Sequence, residues 1–105
     1  MDKTLLVYTT FPDERLAADA ARELVRRRLA ACVNVIPGMQ SVYAWHGEIE
    51  EGREAVVIFK TRTGRRDELV TALRAVHPYE TPVVMILEAA ADDATAAWIM
   101  RETAD

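Results

Sequence analysis

Cysteine is nearly missing from this chain: Cys32 stands alone among 105 residues. No intramolecular disulfide can form and no multi-cysteine zinc site can be drawn, which fits a reducing cytosol. Glycine and proline are sparse, four of each. No stretch of them marks a linker, no low-complexity segment or repeat is detectable, and residues 1–105 read as a single domain. No apolar run approaches the ~18 residues of a membrane span, and Asp92 and Asp93 interrupt the alanine-rich tail. The opening MDKTLLVYTT lacks the apolar core and small-residue cleavage site of a secretory signal, so the expectation is a soluble cytoplasmic protein. Basic charge is in deficit, with 13 Lys and Arg against 17 Asp and Glu, a net charge of −4 and a pI near 5.2. Such a field repels phosphate backbones, and nucleic acid is not an expected partner. Local catalytic and metal motifs are missing too: there is no CxxC, HxxxH or HExxH, no serine-centred elbow, no glycine-rich phosphate loop and no paired-carboxylate signature. Any site must be assembled by the fold.

What the chain does have is strand-forming residues in one long block, Met39 to Thr61. Val42, Tyr43, Trp45 and Ile49 sit on a first arm, Gln40 to Glu50, and Val56, Val57, Ile58 and Phe59 on a second, Glu54 to Thr61. The Glu51-Gly52 pair between them is the expected turn. An arm of about 11 residues spans roughly 36 Å, close to the ~34 Å diameter of a whole domain of this length. Its edge hydrogen-bonding groups exceed what one subunit can cover, which predicts that other copies of the chain cover them. Ahead of this block, Thr4–Thr10 reads as a central strand. A helix follows, capped by Asp13, with Leu16, Ala17, Ala20, Ala21, Leu24 and Val25 on one face and Arg26, Arg27 and Arg28 in its last turn. Leu29–Gly38 reads as a strand interrupted at Pro37-Gly38. Beyond the block come a helix opening at Thr63-Gly64 and ending before Pro78, a strand over Thr81–Glu88 expected to be buried on both faces, and a terminal helix from Asp92-Asp93. The order β-α-β-β-α-β plus a helix predicts an α+β, ferredoxin-like sandwich with both main helices on one sheet face.

The densest functional side chains outside the hairpin form HPYETP, His77 to Pro82. Residues preceding proline are biased to extended backbone, so this loop is stiff and can orient a ligand or a metal. Metal candidates by residue type are Cys32, His46, His77, Glu48, Glu50, Glu51 and Glu80, although Cys32, in an apolar strand, reads first as a small buried hydrophobe. Cys32 and His77 make a dyad on paper only, since apolar surroundings raise a thiol pKa. Lys60, Arg62, Arg65 and Arg66 gather at the start of the second helix, where an anion or an ordinary solvated turn would account for them.

Several segments together resemble one family, the CutA divalent-cation tolerance proteins: LAACVNVIPGMQSVYAWHGEIE (Leu29–Glu50), Lys60-Thr61, HPYETP (His77–Pro82) and Trp98-Ile99. The resemblance covers nearly the whole chain. It implies a homotrimer of ferredoxin-like subunits, similar in architecture to PII signalling proteins, with intersubunit sheets built from the hairpin. It further implies a role in the response to divalent metals, copper binding, no required cofactor and no enzymatic activity. Carried onto this sequence, it puts metal ligation on His77, Cys32 and Glu80, a ligand cleft at Tyr79, Lys60 and Trp45, and the trimer interface at Tyr43, Trp45, Ile49, Val57 and Phe59. The alternative it leaves is a PII-like sensor of small anionic ligands or nucleotides, held in clefts between subunits by Arg62, Arg65 or Arg66. Two positions depart from the family pattern: Val83 follows Pro82 where glutamate is usual, and Thr95 replaces a tyrosine in the last helix.

Overall fold

Alternation along β1 (Thr4–Phe11) decides the layering: Leu5, Val7, Thr9 and Phe11 are buried on one side, while Leu6 and Tyr8 face the other and are half-buried. The computed structural model describes residues 2–105. β3 (Glu48–Arg62) lies antiparallel on one flank of β1, Val7 opposite Phe59, and β4 (Met85–Glu88) on the other, Val7 opposite Ile86. β2 (Cys32–Trp45) pairs with the outer edge of β3, giving the sheet order β2-β3-β1-β4. α1 (Glu14–Arg26) and α2 (Arg66–Val76) cover the Val7 side, where Ala17, Ala20, Leu24, Leu69 and Leu73 close on Val7, Phe11, Val57 and Phe59. This is the α+β, ferredoxin-like arrangement the element order predicts.

Parity on β3 corrects part of the expected interface. Val57 and Phe59 are 0% exposed within the subunit. They alternate with Val56, Ile58 and Lys60, so they point at the helices and offer no surface to another copy.

The hairpin turn also lies elsewhere than expected. Trp45 is opposite Glu48, and the turn residues are His46 (φ 49°) and Gly47 (φ 81°). Two successive positive φ values match the right-handed strand twist, whereas Glu51 and Gly52 continue the strand opposite Val42 and Ser41. Ile49 therefore belongs to the returning strand. Proline and glycine do interrupt β2: the register shifts between Ile36 and Met39, with Gly38 at φ 76°. Beyond Ala55, the partner of Phe11, β3 has only β2 beside it. The result is a two-stranded ribbon projecting from the sheet, which makes the molecule 44 Å long and only 24 × 22 Å across.

β4 is shorter than expected. Its pairing to β1 ends at Tyr8–Met85, and the carbonyl of Thr10 further along β1 is taken by a side chain, His77. As an edge strand it is not buried on both faces: Ile86 packs on the core, while Met85 and Leu87 are exposed.

Three of the basic side chains, Arg28, Arg62 and Arg65, have partners at the end of the chain. α1 closes through Leu29 N–H to Leu24 C=O, with Arg28 at φ 62°. Arg28 then donates to the carbonyls of Arg101 and Ala104 at the end of α3 (Asp93–Glu102). Arg62 and Arg65 donate to the carbonyl of Thr103, both at 2.8 Å. Three guanidinium groups thus gather where the dipole of α3 is negative and its last carbonyls lack helical partners. At its start, Asp92 caps α3 by accepting from Thr95 N–H.

Candidate functional site

His77 ends α2, where Pro78 forbids continuation. His77 is 8% exposed, and its ring packs against Phe11 (centroids 4.2 Å apart) and Tyr79 (5.0 Å). Nε2 is 2.8 Å from the carbonyl of Thr10, with the Thr9 hydroxyl at 3.3 Å. A carbonyl can only accept, so Nε2 carries the proton. Nδ1 is 3.2 Å from the backbone N–H of Tyr79, which can only donate, so Nδ1 is the bare nitrogen. The tautomer is thereby fixed as neutral, and burial holds the ring below the ordinary histidine range against the opposing pull of the Thr10 carbonyl and the Glu54 charge.

Glu54 is the second half of the cluster. It lies opposite Met39, beside the bulge at Pro37-Gly38, and accepts from Ser41 Oγ at 2.6 Å and from Tyr79 Oη at 2.8 Å. Burial by itself would raise this carboxyl, but the hydroxyls of Ser41, Tyr79 and Thr10 outweigh it and hold Glu54 below the usual carboxylate range. Burial first, and then the Glu54 carboxylate, push the Tyr79 phenol well above its ordinary value, so it donates and is not an acid at physiological pH. The cluster ties three separate pieces together: the end of β1, the foot of the ribbon and the 77–82 loop.

This arrangement does not fit a resident metal. Both His77 nitrogens have protein partners, and Glu80 is exposed on the loop while the carboxylate that meets Tyr79 belongs to Glu54. Among the described residues of one subunit, no three His, Cys, Asp or Glu side chains converge as ligands would. His77 and Glu80 therefore do not form the expected metal site. Cys32 lies opposite Lys60 at the far end of the sheet. Lys60 is opposite Leu6, and Leu6 to Thr10 is about 13 Å along β1, so the Cys32–His77 dyad is not assembled either.

The expected ligand cleft is likewise not brought together within one subunit. Tyr79 is at Glu54, Lys60 is six residues up β3, and Trp45 lies opposite Glu48, six residues down. Each step is about 20 Å. Of the cations proposed to hold an anion, Arg62 also meets Asp2, and Arg65 meets Glu68 and Asp105, so both are already satisfied.

The face of the sheet opposite α1 and α2 is largely uncovered, with α3 meeting it at the Arg62 end. Its rows run Cys32, Lys60, Leu6, Leu87; then Asn34, Ile58, Tyr8, Met85; then Ile36, Val56, Thr10. Ile36, Met85 and Leu87 are each at least half exposed, and on the ribbon Val42, Tyr43, Trp45 and Ile49 are exposed as well, Ile49 at 78%. Three of the expected interface residues, Tyr43, Trp45 and Ile49, thus lie on open apolar surface.

Glu54, Ser41 and Thr10 are the functional residues that sequence reasoning missed. The one signal for Glu54 is parity: it opens the alternation of β3 on the Val56 side, and only a hairpin register anchored at His46-Gly47 sets it beside the bulge.

Comparison with known proteins agrees with this geometry. The family model described as CutA1 divalent ion tolerance protein matches residues 5–102. A Xenopus laevis protein named Protein CutA homolog is 48% identical over 80 residues, 76% of this chain and 53% of its own length, so the chain spans about half of that relative. A Thermus thermophilus protein named divalent-cation tolerance protein CutA is 42% identical over 82 residues, covering 78% of this chain and 80% of its own. Among solved structures, the divalent ion tolerance protein CutA1 of Ehrlichia chaffeensis superposes with a TM-score of 0.93 at 31% identity, over 99% of this chain and 98% of the other.

Proposed function

The chain belongs to the CutA1 divalent ion tolerance family, and on that premise we propose that it is a non-enzymatic homotrimer acting in the response to divalent metal ions. The observation that carries the assembly is the uncovered apolar sheet face, continuous with a ribbon that has only two strands. A two-stranded ribbon is marginal in water by itself, and an exposed apolar face of this extent marks an interaction surface. Two neighbouring copies related by a threefold axis would cover both, with Tyr43, Trp45 and Ile49 of the ribbon buried against the next subunit. A charge placed in the face tests this: Met85→Lys is expected to yield a species of the 11.8 kDa chain mass in sedimentation velocity, and a variant that keeps the parental assembly overturns the reading.

For copper, the chemistry of the donors favours one state over the other. A thiolate suits copper(I), and Cys32 stands on the open face, where symmetry brings one sulfur from each copy. Copper(II) would ask for the imidazole of His77, whose nitrogens are engaged. We therefore expect Cys32→Ser to abolish copper(I) binding and His77→Ala to leave copper(II) affinity unchanged, as measured by competitive titration.

A further inference from the structure

We infer that the 77–82 loop is a proton-operated latch, fastened while the His77 ring is neutral and released from the end of β1 when Nδ1 takes up a proton. The argument is geometric. Nδ1 accepts from the backbone N–H of Tyr79 at 3.2 Å while Nε2–H donates to the carbonyl of Thr10 at 2.8 Å, and the ring packs at a tilt against Phe11 and Tyr79. An imidazolium has two donors and no acceptor. Protonation at Nδ1 therefore sets one N–H against another and removes the contact that turns the chain at Tyr79. It also places a charge on a residue that is only 8% exposed. The second fastening, Tyr79 Oη to Glu54 at 2.8 Å, leads from the same residue to the foot of the ribbon, so the release bears on how the ribbon is held.

The charged and titratable groups around the ring set how readily this happens. β1 contributes only Thr9, Thr10 and Phe11. From β3 the Glu54 carboxylate favours the imidazolium, and the loop contributes the neutral Tyr79 phenol and the exposed Glu80. Asp13 acts on Tyr79, while Asp19 and Glu23 of α1 line the groove beside Pro78. Burial opposes the charge and outweighs Glu54, so the ring titrates below the ordinary histidine value near 6.5. Neither a bound metal nor a bound ligand is needed, which distinguishes the latch from the ligand roles considered above.

The test follows the ring and the loop in one sample. Ring 15N shifts of His77 report its tautomer and its titration midpoint, while hydrogen exchange reports the amides of Tyr79, Glu80 and Thr81, corrected for intrinsic rates. The expected result is an Nε2–H tautomer at neutral pH and loop exchange that rises about tenfold per pH unit as pH falls from near 6.5 towards the ring's lower midpoint and levels off below it, with the amides of Val7 and Phe59 unmoved. In His77→Gln the side-chain amide can both accept from Tyr79 N–H and donate to Thr10 C=O at any pH, so the rise should vanish. A ring protonated at Nδ1 at neutral pH, loop exchange that ignores the ring's midpoint, or the same rise in His77→Gln would each overturn the latch. The wild-type measurements decide the matter even if the variant does not fold.

Discussion

Glu54 is the residue whose removal should be felt most widely. It receives hydroxyl protons from Ser41 on β2 and Tyr79 on the loop, and its carboxyl is held below the usual range mainly by those donors. The sign of its pH dependence follows: a depressed carboxyl contributes stability that is present above its unfolded value, near 4.5, and is lost as pH falls through the lower folded value. His77, also depressed, loses its contribution in the same direction but from near 6.5 downward. Acid should therefore weaken the end of the sheet in two steps, the histidine first. Tyr79→Phe removes one charge-assisted bond and should cost about 1.5–3 kcal/mol at neutral pH. Because Glu54 then loses a donor, the lower acid step should move up in pH, which thermal melts across an acid series would register. A variant that melts like the parent at every pH would remove Tyr79–Glu54 from the account.

Several elements were legible in the sequence and others were not, for physical reasons. α1 announced itself through the Asp13 cap, which accepts from Leu16 N–H at 2.8 Å, and through 3.6-residue apolar spacing. The Pro37-Gly38 interruption also appeared where glycine and proline chemistry requires it. The hairpin turn did not, because Glu51-Gly52 and His46-Gly47 are both glycine-bearing dipeptides inside the same strand-forming block, and only pairing across the whole ribbon decides between them. The same missing register hid Glu54 and gave Val57 and Phe59 to the wrong face. Local charge alone assigns the arginines to solvated helix ends, yet Arg28, Arg62 and Arg65 act on carbonyls at the far end of the chain. At this scale two outcomes are expected. Gly47→Val should destabilise the ribbon, since a β-branched residue at φ 81° is strained by about 1–3 kcal/mol. Arg62→Ala should fray α3, because Thr103, which is fully buried, loses the donor to its hydroxyl and one of the two guanidinium donors to its carbonyl, Arg65 keeping the other. Amide exchange at residues 99–103 should rise selectively, and an unchanged pattern there would contradict the clamp.

The whole molecule is defined by an imbalance: one sheet face carries α1 and α2, whereas α3 meets the other only at its Arg62 end and leaves the rows from Leu6 to Met85 half-buried or exposed. The radius of gyration, 14.3 Å, exceeds the ~13 Å of a compact chain of this length, and the excess is the projecting ribbon. Trp45 illustrates the consequence. It is 48% exposed in the subunit and touches His46 edge-on, so truncating it removes little from the isolated fold, and the roughly 3–5 kcal/mol that a buried aromatic commonly supplies should be lost from assembly. The Trp45→Ala variant is accordingly expected to dissociate at higher protein concentration than the parent, while its far-UV circular dichroism is retained.

The most direct test of this account is sedimentation equilibrium of the unmodified protein at micromolar concentration. The uncovered face and the two-stranded ribbon call for partner copies, and the proposed homotrimer predicts a single species of three times the 11.8 kDa chain mass. A species of one chain mass, folded and stable, would contradict it, because the apolar rows from Ile36 to Met85 and the ribbon beyond Ala55 would then have to stand in water uncovered.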